Sequence, residues 1–334
     1  MNKRAIVSII IVFSLLNLIF PVSSLEISNK TVIKQSKSDE DCGDDFYFIQ
    51  ITDTHVMNRV LDGNEEYKKY FCKLIDNINS FEKKPAFIVI TGDLVSTGTG
   101  IAGSLNYKAF LECVYKKDDQ LFADLGYNIP IYTIPGNHDY FFKWNLLNYH
   151  RYIDNRHIVR YNILKLLEER QLNDRYTITH ENLTLFFLNS GHDCIFTPLN
   201  LLYLKGSGLS YWFDIEWLES TLNKCSSKYK IVLMHHPAIN WGDHDTIARN
   251  QDNFIQLCEG YDVELVLAGH THASRVYDKN NNFYPNDILP LNCSKYPTLY
   301  VQTDACKEGG YYRNITISGN DIWLNPCEKL CYNN

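Results

Sequence analysis

Short apolar runs alternate with longer amphipathic segments through the first half of the chain. Residues 46–51, 87–90 and 131–134 are apolar and rich in β-branched and aromatic side chains, which predicts three buried strands. Apolar positions recur at helical spacing over residues 67–81, and a second helix is predicted around residues 146–170. Strands that alternate with helices in this way indicate an α/β fold.

The second half of the chain predicts a second sheet. Its first two strands would form a hairpin that turns at Glu181 and Asn182, and an amphipathic helix with Ile215 and Leu218 on one face would follow. The simplest assembly is a mixed second sheet packed on the first. We expect these elements at residues 175–180, 183–188, 210–222, 230–234, 263–267, 298–302 and 311–317.

The N-terminus has the pattern of an export signal. Lys3 and Arg4 precede a short apolar run that ends in small residues, with cleavage expected after Ser24. The run is shorter than the roughly 20 residues of a membrane-spanning helix, so an uncleaved anchor is the alternative, and membrane contact is expected only in that case. We therefore expect a signal peptide at 1–24, a flexible lead-in at 25–45 and a single domain at 46–334, in a secreted or extracytoplasmic protein.

Cysteine content and charge narrow the class further. The ten cysteines lack any CxxC pair, so together with an export signal they predict disulfides, with Cys327 and Cys331 available to hold the C-terminal tail. Removal of residues 1–24 changes the net charge from −7 to −9, and an acidic protein is a poor partner for nucleic acid. If the chain is glycosylated, the acceptor sequons are those at Asn29, Asn182, Asn292 and Asn314.

Metal-binding residue types follow five of the predicted strands. In α/β sheets, ligands bind beyond the carboxyl ends of the strands, so these residues should converge on one site. Within 53–55 and 270–272, the first and third side chains can turn toward the same site. The five segments are Asp53-Thr54-His55, Gly92-Asp93, Gly136-Asn137-His138-Asp139, His235-His236 and Gly269-His270-Thr271-His272.

The mixture of carboxylates and imidazoles is typical of a two-metal centre for Fe, Mn or Zn. Calcium would favour oxygen ligands alone, and a structural zinc would favour thiolates. A shared carboxylate is needed to hold two cations about 3.5–4 Å apart. Each segment by itself also fits ordinary turn chemistry, but five such endings after apolar strands favour a metal site.

Taken together and in this order, the five segments resemble the motifs of the calcineurin-like metallophosphoesterases, and the likeness extends over most of residues 46–317. The resemblance implies a four-layer α/β/β/α sandwich of two mixed sheets, with a binuclear metal site at the C-terminal rim of the strands. It also implies that Asp93 bridges two divalent or trivalent cations, and that His235, two places before Pro237, is a ligand in preference to His236. The implied metal ligands are Asp53, His55, Asp93, Asn137, His235, His270 and His272.

The resemblance gives His138 a catalytic role beside the substrate. Two cations would lower the pKa of a bridging water toward about 7, so that hydroxide would attack phosphorus. His138 would then stabilise the developing charge or protonate the departing oxygen.

Two departures from the family pattern narrow the subfamily. Protein phosphatases of this superfamily carry an Asp and an Arg where this chain has Ser96 and Thr97, which argues against a protein phosphatase and leaves open how His138 is held. Purple acid phosphatases have a Tyr at the position of Ser96 and lack the histidine that corresponds to His55. The remaining pattern resembles the cyclic-nucleotide, glycerophosphodiester and sphingomyelinase-like phosphodiesterases.

We therefore expect an exported, metal-dependent hydrolase of a small phosphorylated substrate, with a phosphodiester favoured. One alternative is a phosphomonoesterase that scavenges phosphate from nucleotides or sugars. The other is a non-catalytic metal-binding module that keeps the fold, although the complete ligand set argues against it. His192 and His244 are weaker site candidates, because each also fits an ordinary loop position.

Overall fold

A computed structural model of the chain describes residues 45–61, 65–114, 129–140, 146–154, 175–191, 214–241 and 245–330. The expected signal peptide and nearly all of the lead-in lie outside the described residues, as do His192, His244 and Cys331. The described residues all belong to one compact unit, which spans Val32–Asn334. Within them, no helix is both long enough and apolar enough to cross a membrane.

The strands of the described residues are short and largely buried, and the predicted ones form within two residues of the expected bounds. Three strands were not predicted, namely β8, β9 and β12. In chain order the strands are β1 (Phe46–Ile51), β2 (Ile88–Thr91), β3 (Ile131–Ile134), β4 (Arg175–His180), β5 (Leu183–Leu188), β6 (Tyr229–Leu233), β7 (Leu265–Ala268), β8 (Arg275–Tyr277), β9 (Leu291–Asn292), β10 (Leu299–Gln302), β11 (Tyr311–Ser318) and β12 (Asp321–Lys329).

These strands form two mixed sheets. The first sheet has the order β3-β2-β1-β11-β12-β9 and the second has the order β4-β5-β6-β7-β10-β8. Strands β1 to β3 are parallel to one another, and so are β5, β6, β7 and β10. The expectation that residues 311–317 join the second sheet is wrong, because β11 pairs antiparallel with β1 in the first sheet. An apolar pattern predicts the strand itself, whereas the choice of partner depends on contacts that are distant in sequence.

The main hydrophobic core lies between the two sheets. Alternate residues of each strand point to opposite faces, so Phe48 of β1 and Ile315 of β11 face the second sheet, where Leu185 and Leu233 meet them. All four of these side chains are fully buried. The opposite faces of both sheets are also apolar and need cover from helices.

Two helices cover the outer face of the first sheet. They are α1 (Glu66–Ser80) and α2 (Gly100–Val114), and they pack on the outward-facing residues of β1 and β2. Phe71 of α1 stacks on Phe110 of α2 with ring centroids 4.9 Å apart. A disulfide between Cys72 and Cys113 joins the two helices, in agreement with the expectation that the chain forms disulfides.

Two helices of the second half cover the outer face of the second sheet. They are α4 (Glu216–Lys224) and α5 (Gln251–Gly260), which bury Leu218 and Phe254 against the strands. A short α3 (Leu147–Tyr149) precedes them in the chain. Helices therefore flank both sheets, which confirms the four-layer α/β/β/α sandwich.

The helices depart from the sequence predictions in two ways. Neither α2 nor α5 was predicted. α2 is apolar around most of its surface and lacks a clear helical period, and α5 is short. Around residues 146–170, the helix is limited among the described residues to α3 and a wide helical turn at His150–Asp154. Residues 155–174 lie outside the described ranges.

The sequons and remaining cysteines differ in their surroundings. Asn182 lies in the tight turn between β4 and β5, whereas Asn292 is buried in β9 and accepts a hydrogen bond from the backbone of Ser294. Cys327 carries a free thiol. Because Cys331 lies outside the described residues, a disulfide in the tail stays a prediction, and so does glycosylation.

Candidate metal centre

The five predicted segments meet at one rim of the sandwich. β1, β2 and β3 end just before Asp53, Asp93 and Asn137 in the first sheet. β6 and β7 end just before His235 and His270 in the second sheet. Because both sets of parallel strands point their carboxyl ends toward this rim, each sheet contributes about half of the ionisable side chains.

Asp93 lies at the centre of the group, and its two carboxylate oxygens face different histidines. Oδ2 is 3.3 Å from Nε2 of His55, and Oδ1 is 3.4 Å from Nε2 of His235. The side chain is almost completely buried. A carboxylate with an imidazole nitrogen on each side has the geometry needed to bridge two cations.

On the first side, four candidate donor atoms lie close together. Asp53 Oδ1 is 3.6 Å from Nε2 of His55 and 3.3 Å from Nε2 of His272. Asp93 Oδ2 completes the group at 3.3 Å from His55. Ligands about 2.1 Å from a tetrahedral ion lie roughly 3.4 Å apart, so these spacings suit a transition metal.

On the second side, His235 is fully buried and held by the backbone. Its Nδ1 lies 2.8 Å from the carbonyl oxygen of Thr91, which accepts the Nδ1 proton and leaves Nε2 directed at Asp93. Nε2 is also 2.9 Å from Oδ1 of Asn137. The ring of His270 lies 5.2 Å from that of His235, centroid to centroid. The structure thus brings together all seven predicted ligands.

His236 is buried beside this group but bonds in another direction. Its Nδ1 is 2.8 Å from the hydroxyl of Ser190, which also accepts a hydrogen bond from the His236 backbone nitrogen. Its ring lies 4.4 Å from that of His270, so the spacing alone also admits a cluster of His235, His236 and His270. Since His235 faces Asp93 directly, the geometry supports His235 as the ligand.

The backbone of the site is held in an unusual conformation. Five of the candidate ligands have φ between 42° and 71°, in the left-handed region that non-glycine residues rarely adopt. Such residues cost on the order of 1–3 kcal/mol each and cluster at functional sites. The five residues are Asp53, His55, Asp93, His270 and His272.

Two glycines of the motifs are required by close packing around Asp93. A Cβ on Gly136 would lie 2.2 Å from Oδ1 of Asp93. A Cβ on Gly92, which has φ of +94°, would lie 2.4 Å from Nδ1 of His235. The glycines therefore let the carboxylate and the imidazole approach each other.

The ionisable groups strongly perturb one another. Burial raises the pKa of Asp53, but the neighbouring imidazoles of His272 and His55 outweigh it and hold the pKa well below the usual value. For His235, burial lowers the pKa, whereas the charge of Asp93 raises it to about 10. The pocket thus favours ionised carboxylates surrounded by positive charge, which a cation can supply in place of a proton.

His138 is held by a backbone carbonyl group. Its Nδ1 lies 2.8 Å from the carbonyl oxygen of Ser96, so that the Nδ1 proton is donated there, and its Nε2 lies 4.0 Å from Asp93 Oδ2. Its backbone nitrogen donates to Asp93 Oδ1 at 2.8 Å. With 45% of the side chain exposed, His138 is the solvent-facing histidine of the cluster. The contact with the Ser96 carbonyl therefore shows how His138 is held, which the sequence left open.

Asp139 also belongs to the site, although the sequence analysis assigned it no role. Asp139 accepts hydrogen bonds from the backbone nitrogens of Gly136 and Leu94 and from the hydroxyl of Tyr107, which ties the second and third segments together. Burial and the charge of Asp93 raise the pKa of Asp139 to about 7. Its place in the Gly136–Asp139 segment was the one available signal.

The donor set fits a metal cofactor. Asp53 Oδ1 and His55 Nε2 are both fully buried, and neither has a hydrogen-bond partner among the described residues. Buried polar atoms without partners are costly, and a cation between them removes that cost. The oxygen and nitrogen donors suit Mn, Fe or Zn.

Comparisons with known proteins support this interpretation. A family model described as calcineurin-like phosphoesterase matches residues 46–274. The chain is 28% identical over 242 residues to a probable glycerophosphodiester phosphodiesterase GpdQ of Arcobacter nitrofigilis, covering 67% of this chain and 71% of that protein. It is 21% identical over 291 residues to a 3′,5′-cyclic-nucleotide phosphodiesterase of Nostoc, covering 85% of this chain and 92% of that protein.

A solved structure shows the same fold. It is a purple acid phosphatase from yellow lupin, which superposes with a TM-score of 0.52 at 12% identity. The match covers 86% of this chain and 52% of the lupin chain, so the present chain spans about half the length of that enzyme.

Proposed function

The chain belongs to the calcineurin-like phosphoesterase family and is therefore a hydrolase of phosphoester bonds, and from this premise we propose that it is a two-metal phosphodiesterase acting on a small substrate. The two relatives described above carry phosphodiesterase names, which supports a diester over a monoester. Ser96 and Thr97 stand where a protein phosphatase would have its Asp and Arg, which argues against a phosphoprotein substrate.

The position of Asp93 between two groups of donors is the observation that carries the proposal. We assign Asp53, His55 and His272 to one cation and Asn137, His235 and His270 to the other, with Asp93 shared. When bound, two such cations supply Lewis-acid charge and lower the pKa of water, so that hydroxide is available as the nucleophile near neutral pH.

The protein's own groups then orient the substrate and move a proton. The Ser96 carbonyl fixes the ring of His138 with Nε2 toward the site, at the exposed edge where a substrate enters. From there, Nε2 can donate a hydrogen bond to a phosphoryl oxygen or a proton to the leaving alkoxide. The buried metal-binding side chains behind His138 keep Asp93 ionised and hold it in place, so the site is preorganised before the substrate binds.

Hydrolysis of two model substrates tests the proposal. The purified protein with added Mn²⁺ is incubated with bis-p-nitrophenyl phosphate and with p-nitrophenyl phosphate, beside Asp93→Ala and the matched surface control Asp287→Ala. We expect metal-dependent release from the diester that is lost in Asp93→Ala and kept in Asp287→Ala. Activity on the monoester alone would favour a phosphomonoesterase, and silence on both would favour the non-catalytic module.

Export is a separate proposal. The charged and apolar pattern of residues 1–24 and the disulfide between Cys72 and Cys113 support it, because disulfides persist in oxidising compartments. Mass spectrometry of the protein from its natural source would test it. A mature N-terminus at Leu25 is expected, whereas a chain that keeps Lys3 and Arg4 would contradict cleavage.

A further inference from the structure

A short helical turn after β10 is bonded directly to the first metal-binding segment. The backbone nitrogen of Cys306 donates to the carbonyl oxygen of Thr52 at 2.9 Å, and that of Lys307 donates to the carbonyl oxygen of Asp53 at 3.1 Å. The next residue, Glu308, places Oε1 3.3 Å from Nδ1 of His272. Lys307 is therefore held at the edge of the site by both of its neighbours.

In the described part of the structure, the ammonium group of Lys307 forms no ion pair. Among the described residues, its side chain makes neither an ion pair nor a hydrogen bond, and its one ring contact is with Tyr67, at 5.9 Å from the centroid. By contrast, Lys68 lies 2.6 Å from a carboxylate oxygen of Glu112. Lys307 is partly buried, and burial lowers its pKa more than the charges of Asp53, Asp93 and Glu308 raise it.

The position of the Lys307 ammonium group is explained if an anion binds beside it. Lys307 lies on the first side of the site, because its own backbone is hydrogen-bonded to Asp53 and its neighbour Glu308 contacts His272. An ammonium group next to a bound divalent cation is repelled unless a negative group screens the two charges. The anion that the proposed reaction brings to this place is the phosphate of the substrate.

We propose that Lys307 is an anion-binding residue of the substrate site and that its ammonium group contacts a non-bridging phosphate oxygen of the substrate or product. The inference rests on the proposed function and deepens it. Lysine acts as a compact charge for phosphate binding, and a charge-assisted hydrogen bond is about twice as strong as a neutral one. Substrates with a neutral group in place of that oxygen would bind less well.

Binding of inorganic phosphate to the manganese-loaded protein, measured by titration calorimetry, tests the inference without using activity. We expect Lys307→Met to raise the Kd at least about tenfold, whereas Lys307→Arg stays within about threefold of the wild type. For bis-p-nitrophenyl phosphate, Lys307→Met should raise KM more than it lowers kcat. Lys295→Met removes the same charge from an exposed turn at the far edge of the first sheet and should change nothing.

Metal content separates this effect from damage to the site. Loss of a positive charge beside the cations should leave manganese binding unchanged or make it tighter, so weaker phosphate binding would not reflect lost metal. The inference would be overturned if the Kd of phosphate for Lys307→Met stayed within twofold of the wild type. It would also be overturned if the loss of phosphate affinity in this variant paralleled a loss of bound manganese. If the wild type hydrolyses neither model substrate but still binds phosphate through Lys307, the proposed function fails and the inference stands.

Discussion

Oε1 of Glu308 lies 3.3 Å from Nδ1 of His272, and Nε2 of the same ring lies 3.3 Å from Oδ1 of Asp53. A carboxylate behind a metal-binding imidazole fixes the tautomer and the ring orientation and makes the ligand more basic. We therefore expect Glu308 to position the ring of His272.

Glu308→Gln should weaken metal binding about 10- to 100-fold, because the imidazole loses its charged partner. Competition with a chromogenic chelator measures the Kd of manganese directly. Glu112→Gln is the matched control, since Glu112 is also ion-paired and equally exposed, at 48% against 49% for Glu308. Equal metal affinity in both variants would show that Glu308 does not position His272.

Gly136→Ala should abolish metal binding and activity. The new Cβ would lie 2.2 Å from Oδ1 of Asp93, which neither the buried carboxylate nor the backbone around it can relieve without moving. Gly260→Ala is the control, because nothing lies within 4 Å of a Cβ at that position. Metal analysis and bis-p-nitrophenyl phosphate hydrolysis provide the measurements, and an active, metal-loaded Gly136→Ala protein would contradict the packing argument.

Glu264 should make stability decrease as the pH rises from about 4.5 to about 7. Burial raises its pKa from 4.5 to about 7 even though its Oε2 accepts a hydrogen bond from the backbone nitrogen of Lys230 at 2.7 Å. In that window the unfolded carboxyl group loses its proton while the folded one keeps it, which lowers the free energy of unfolding on the order of 1–3 kcal/mol.

Glu264→Gln removes this titration and keeps an acceptor for Lys230. Relative to the wild type, the variant should therefore gain stability between pH 5 and pH 8 in denaturant unfolding. Glu219→Gln, at an exposed position on α4, should follow the wild type at both pH values. If the difference in stability between Glu264→Gln and the wild type did not change with pH, the Glu264 carboxyl group would already be ionised in the folded protein.

The disulfide between α1 and α2 should contribute about 4 kcal/mol to stability, because it closes a loop with a sequence separation of 41. Cys72→Ser combined with Cys113→Ser should lower the midpoint of thermal unfolding and make it insensitive to reductant. Cys225→Ser removes a cysteine that forms no disulfide and serves as the control. Equal midpoints for the wild type with and without reductant would contradict this contribution.

The sequence predicted which side chains lie together at the rim, because each of these residues follows closely after an apolar strand. Asp53 and Asp93 each come two residues after the last residue of β1 and β2, so the apolar pattern that predicts the end of a strand also locates them. Lys307 and Glu308 escaped notice for the opposite reason. They lie in a polar loop after β10. The backbone hydrogen bond from Lys307 to Asp53 joins segments that are distant in sequence, so no local sequence pattern predicts it.

The same distinction explains the errors in the fold. β12 contains Pro326 and polar residues, which weaken a strand prediction, yet it forms because β11 offers a full antiparallel partner. α2 is too evenly apolar to show a helical period, and it is buried between the first sheet, α1 and the turn at His150. Local patterns predict elements, whereas pairing and burial on two sides depend on the complete fold.

The division of the predicted ligands between the two sheets has a consequence for when metal ions could bind. Asp53 and His270, 217 residues apart, are joined by a hydrogen bond from the His270 backbone nitrogen to Asp53 Oδ2 at 2.9 Å. Neither half of the chain holds a complete donor set, so a nascent or unfolded chain offers the ions no site. A chain that crosses a membrane before it folds would therefore take its metals from the compartment that it enters, and the supply there would determine which ions it carries.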